Sequence, residues 1–184
     1  MQVQPQISQP GDGALGDARQ ALRGLGLDPG GAAWVPLCGG RVNRLWRVGK
    51  RVVKLYNAEG ATPLFPNDPA AEVAALTALR GRGIAPRLVA AAPGATPPCL
   101  VYGHLDGPAA AATPQAVGAL LARLHAEPPP PGLRRLPGGP AILHQGDAML
   151  AALPEAQAGR LRALRPSLAP PAPAARVFLH GDPV

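Results

Sequence analysis

The sequence predicts an α+β fold with a β-rich front part and a helical back part. Three observations lead there. Short apolar runs with strand patterning fall between residues 34 and 102, joined by turn signals at Gly49-Lys50 and Pro93-Gly94. One capped helix, over 70–80, is set among them. After Asp106-Gly107-Pro108 the pattern turns helical and, apart from a Pro-rich loop, is so to about residue 165.

Taken in order, residues 1–11 are polar, with Pro and Gly, and are expected to be disordered. Leu15, Ala18, Leu22 and Leu25 then recur at helical spacing, so a short amphipathic helix is predicted over 12–26, closed by Asp28-Pro29-Gly30-Gly31. Trp34 to Cys38 suits a first strand running into Gly39-Gly40. Val42 to Val48 and Arg51 to Tyr56 form the next two, with Gly49-Lys50 as a hairpin turn. Asn67-Asp68-Pro69 supplies a capping side chain and a proline at the first helical position. Gly81-Arg82-Gly83 ends that helix.

Arg87 to Ala91 and Pro98 to Tyr102 read as a further strand pair. Thr113-Pro114 caps a helix with Val117, Leu120, Leu121 and Leu124 on one face. A Pro-rich loop covers 127–140, and helical spacing over 141–165 is interrupted at Pro154. A Pro/Ala linker leads to a last strand, Arg176 to Leu179. The division is thus 1–30 as an extension with a short helix, 31–107 as the front lobe, and 108–184 as the start of a helical lobe.

Composition narrows the class. Aromatic residues make up 3% of the 184 residues, and 25 Pro and 23 Gly punctuate the chain. The net charge is +7 and the pI about 10.7. A nucleic-acid-binding domain would concentrate such charge. Here the arginines spread from Arg19 to Arg176 without interleaved aromatics, which argues against that class. Cys38 and Cys99 lack a CxxC spacing, so no zinc site is read, and each sits in an apolar run as a small hydrophobe. Neither a secretory signal nor the ~20-residue apolar run of a membrane span is present. The expectation is a cytoplasmic, reduced protein.

Lys54 and Glu72 carry the chemical signal. Lys54 lies mid-strand, with Val52 and Tyr56 on its own face. Glu72, Leu76 and Leu79 fall at i, i+4 and i+7, which puts a carboxylate on the apolar stripe of the helix. Such a carboxylate is costly unless paired, and an inward-directed strand lysine is the nearest partner. A strand lysine held by a helix glutamate is how kinase-like folds grip nucleotide phosphates.

Six segments then resemble the aminoglycoside phosphotransferase/choline kinase superfamily, in its order. Gly39 to Val48 is similar to the first hairpin, with its Gly-rich turn and an Asn before an aromatic residue. Val52 to Tyr56 resembles the strand bearing the phosphate-binding lysine, and Glu72 matches the helix glutamate. Cys99 to Gly107 resembles the hinge, Val117 to His125 the helix that opens the back lobe, and Val177 to Asp182 the start of the catalytic loop.

The resemblance implies a protein-kinase-like two-lobe fold, with its front lobe complete and its helical lobe only partly present. It also implies ATP-dependent transfer to a small-molecule hydroxyl. Gly40, Asn43, Lys54 and Glu72 then bind the nucleotide, with Gly40 and Lys54 at its phosphates, and Tyr102, Gly103, His104 and Leu105 serve the adenine. Asp182 is the catalytic residue that takes the acceptor's proton. The family pattern places an Asn and a metal-binding Asp after that position, where only Pro183 and Val184 stand. A catalytically incomplete fragment is therefore expected, with the Mg2+ ligands beyond its end and apolar surface exposed on the helices at 113–165. The alternative is a non-catalytic nucleotide-binding or scaffold protein that retains the front lobe. Leu143-His144-Gln145-Gly146-Asp147 superficially repeats the His-Gly-Asp pattern, but a helical pattern follows it, so Asp147 reads as a solvated helix residue.

Overall fold

The computed structural model describes residues 12–27, 29–37, 42–62, 66–107, 113–135, 140–151, 153–164 and 178. Five antiparallel strands form one sheet: β1 (Trp34–Leu37), β2 (Arg44–Val48), β3 (Arg51–Leu55), β4 (Leu88–Ala92) and β5 (Cys99–Gly103). Their order across the sheet is β1-β2-β3-β5-β4, so β1 and β4 are the edges. Gly49 has φ 58° at the first position of a two-residue loop between the paired residues Val48 and Arg51, a conformation that favours glycine. The chain is α+β, with helices before, within and after the strands of one antiparallel sheet.

Strand alternation sends side chains to two faces, and each face is covered by a different helix. Trp46, Val48, Val53, Leu55, Cys99 and Val101 pack on one side against Ala18 and Leu22 of α1 (Asp12–Gly24). The sequence places this helix in an extension before the lobe, yet its apolar stripe closes the back of the sheet. Tyr56 and Leu100 face the other side and pack against Leu76 of α2 (Pro69–Ala78). Asp68 caps α2, accepting from the backbone N–H groups of Ala70 (2.9 Å) and Ala71 (3.1 Å), with Pro69 following it.

Helical structure resumes at α3 (Pro114–Ala126), capped by the Thr113 hydroxyl, and continues in α4 (Pro140–Leu150) and α5 (Glu155–Leu164). The break between α4 and α5 contains Pro154, as the sequence suggests. Leu124 of α3 packs with Leu79, at the end of α2, and with Phe178. Polar contacts run beside this apolar one: Arg123 donates to the Arg82 carbonyl at 2.7 Å, and Arg82 pairs with Glu127 at 3.3 Å. Leu120, Leu153, Leu161 and Leu164 are exposed on the helical part. Asp147 lies on α4 and is half-buried. The expected strand at 176–179 lies outside the described residues apart from Phe178, and Cys38 lies outside them as well. No helix among the described residues is long and apolar enough to cross a membrane.

Candidate functional site

β3 and α2 bring the two charged candidates together. Lys54 pairs in register with Leu45 and Leu100, so its side chain leaves the sheet on the α2 side. Glu72 sits in the first turn of α2, on the same stripe as the buried Leu76 and Leu79. The Lys54 Nζ donates to Glu72 Oε2 at 2.5 Å. Their side chains are 16% and 30% exposed, so the pair is sheltered yet open on one side. A charge-assisted bond of this kind holds the ammonium in one place while leaving donors for a second anion.

Tyr56 completes the arrangement. It lies two residues after Lys54 on the same face, and its hydroxyl donates to the same Glu72 oxygen. The Lys54 Nζ also stands 4.7 Å from the centroid of the Tyr56 ring. The sequence places Tyr56 on the Lys54 face without marking a role for it. The signal was there in the period of two.

Tyr102 pairs with Val52 and packs partly buried beside Tyr56 and Leu100. Downstream, the Gly103 N–H donates to the Arg87 carbonyl at 2.9 Å and the His104 N–H to the Lys50 carbonyl at 3.0 Å. His104 Nδ1 lies 3.0 Å from Asp106 Oδ1. Leu105 is 69% exposed, the first residue of this run to project into solvent. The backbone donors of Gly103 and His104 are thus spent inside the sheet lobe.

Asn43 takes part in a different cluster. Its side chain exchanges hydrogen bonds with that of Asn67, at 2.7 and 2.9 Å, and accepts from the Asn57 N–H at 3.1 Å. Gly40 and Asp182 lie outside the described residues.

A model of the phosphotransferase enzyme family, APH, matches residues 33–184. The chain belongs to this phosphotransferase family. The match spans the sheet and helices α2 to α5, in keeping with the aminoglycoside phosphotransferase/choline kinase-like superfamily. No curated protein and no solved structure matches the chain.

Within this phosphotransferase lobe two tyrosines and a cysteine on and under the sheet are held neutral. Burial raises the Tyr56 hydroxyl, and its bond to the Glu72 carboxylate raises it further. Burial and then the Glu72 charge raise Tyr102, while burial alone pushes the Cys99 thiol from 9.0 up to about 11. The unfolded chain releases these protons first as pH rises, so the stability they contribute is complete below pH 9.0 and is withdrawn from there upward, for Cys99 by about 11. Thermal melting is expected to hold its midpoint up to pH 9.0 and to fall between there and 11. A midpoint that stays level over that interval would contradict this. Cys99 is also expected to react with thiol reagents at pH 8 only through unfolding.

Proposed function

We propose that the chain carries the nucleotide-binding lobe of an ATP-dependent phosphotransferase that acts on a hydroxyl group of a small molecule. The observation that carries this reading is the Lys54–Glu72 pair, bridging β3 and α2 with its ammonium partly open. ATP supplies the γ-phosphoryl group. Lys54 binds α/β-phosphate oxygens, and Glu72 and Tyr56 fix the ammonium so that little orientation is lost on binding. The fit is chemical: a positioned strand ammonium complements phosphate charge, and phosphoryl transfer depends chiefly on positioning and charge neutralisation.

The adenine end lies along the 102–105 run. Since Gly103 and His104 have committed their N–H groups, the Leu105 N–H is the donor of this run assigned to the base. Gly40, with no side chain in the way, lets its backbone approach the phosphates. Asp182 accepts the acceptor hydroxyl's proton as the new O–P bond forms and the bond to the ADP leaving group breaks. Among the described residues no three His, Cys, Asp or Glu side chains gather as a metal site, so no part of this scheme is assigned to Mg2+ ligands there.

The test measures ATP binding by calorimetry, then γ-phosphoryl transfer to a panel of amino alcohols, sugars and aminoglycosides. ATP binding is expected; any transfer should go to one hydroxyl class, and Asp182→Asn should abolish it while leaving ATP bound. Binding without transfer to any acceptor would shift the reading to the non-catalytic nucleotide-binding alternative. Absence of ATP binding at millimolar concentration would remove both.

A further inference from the structure

The chain contains three asparagines, at 43, 57 and 67, and all three meet. They come from three segments that share no secondary structure: the approach to β2, the end of β3, and the residue before the α2 cap. Asn43 and Asn67 exchange a reciprocal pair of amide hydrogen bonds. Asn67 also donates to the Asn57 carbonyl at 2.8 Å, and the Asn57 N–H donates to Asn43. The Asn57 side chain in turn accepts from the Glu59 N–H, capping the short 3-10 turn Ala58–Gly60.

Two independent features show that this junction is closely built. Asn67 holds φ 50°, the left-handed region that a non-glycine residue adopts at a cost, and asparagine is among those that tolerate it best. Gly60 packs against Val42 so closely that a Cβ there would stand 2.0 Å from Val42 Cγ1. The segment before β2 is therefore pressed onto the turn after β3 at two adjacent residues, Val42 and Asn43.

What the junction fixes is the start of α2. Asn67 precedes the Asp68 cap, and the Glu72 N–H bonds back to the Asp68 carbonyl at 3.2 Å. One helical turn then separates the amide cluster from the carboxylate that holds Lys54. On the strand side, Asn57 lies next to Tyr56, the second donor to that carboxylate. The cluster thus grips both the strand that delivers the ammonium and the helix that delivers its partner.

We infer that Asn43, Asn57 and Asn67 form an amide clasp that sets the distance between β3 and the first turn of α2. Asn67 is then a positioning residue for Lys54, acting through Glu72. This rests on the nucleotide-site reading above only for its consequence, not for its geometry. It also gives Asn43 work that requires no contact with ATP.

The chain's two lysines provide the assay. Lys50 is exposed in the hairpin turn and Lys54 is sheltered in its ion pair, so acylation by an N-hydroxysuccinimide ester can be read as a Lys54:Lys50 ratio by peptide mass spectrometry. Asn67→Gly keeps the left-handed backbone accessible and removes the amide. The ratio is expected to rise about tenfold, a modest net effect for the three hydrogen bonds that the Asn67 amide makes. Asn43→Ala should raise it in the same direction. Glu72→Gln should raise it too, and adding Asn67→Gly to Glu72→Gln should raise it no further.

An unchanged ratio in both Asn67→Gly and Asn43→Ala overturns the clasp. Additive increases in the double variant overturn the route through Glu72. Loss of the far-UV circular dichroism in both single variants also overturns it, because a positioning role leaves the sheet folded. In a parallel arm, ATP affinity of Asn67→Gly should fall by about tenfold. Wild-type chain that fails to bind ATP while the lysine ratio still responds would remove the nucleotide reading and leave the clasp standing.

Discussion

Lys54→Ala is expected to weaken ATP binding by about 100-fold, near the upper end of what charged hydrogen bonds contribute. Two losses combine. The ammonium that meets the phosphates is gone, and the Glu72 carboxylate, 30% exposed and bonded to Tyr56, is left as an uncompensated negative charge beside them. Like charge at that position opposes a phosphate directly. Stability should change much less, by about 1–2 kcal/mol, because the carboxylate can rehydrate on its open side. Lys54→Ala combined with Glu72→Ala should recover part of the affinity lost in the single variant, since the repelling charge is then absent. Lys50→Ala, in the exposed turn, is the control and should leave affinity unchanged. Calorimetric titration of these four proteins checks the pattern; equal affinities for wild type and Lys54→Ala would end the assignment.

Trp46→Ala should cost the most in stability. Trp46 is 2% exposed and lies at the centre of the cluster that joins β2, β3 and β5 to α1. Truncating a buried aromatic side chain to alanine costs about 3–5 kcal/mol. Its edge-to-face contact with Trp34, with centroids 6.3 Å apart, adds about 0.5–1.5 kcal/mol. A domain holds about 5–15 kcal/mol in all, so this single change consumes a large share. Urea denaturation followed by circular dichroism should show a midpoint moved close to zero denaturant. A midpoint within experimental error of wild type would mean that the α1 face is not the main core. Phe in place of Trp34, which is only partly buried, should be tolerated far better.

The parts of this structure that were legible in the sequence are those governed by a local period or a local cap. The hairpin at Gly49 followed from alternation on both sides of a glycine, and α2 from Asp68-Pro69 and its apolar stripe. The Lys54–Glu72 pair was legible because a carboxylate on an apolar stripe requires a partner, and one inward strand lysine was available. Helix α1 was visible as a helix, but an amphipathic stripe does not say which surface it covers. Its position against Val53 and Val101 is set by the sheet's need to close its second face.

The asparagine clasp left no trace of that kind. Its members lie in loops, 24 residues apart at the widest, and loops have no period from which facing can be read. Asn67 was noticed as part of a helix start, but the capping itself falls to Asp68. The backbone donors of the 103–104 run were likewise beyond reach of the sequence, because their acceptors at Arg87 and Lys50 are a matter of strand register.

Strand β1 lies at the margin of the sheet and carries Pro36 in the middle of its four residues. Proline offers no N–H, so a foreign strand approaching this margin meets an interrupted row of donors. Beside it the 42% exposed Val35 would otherwise invite such pairing. The lobe therefore resists edge-to-edge polymerisation from this side by composition alone, without a charged gatekeeper in the strand.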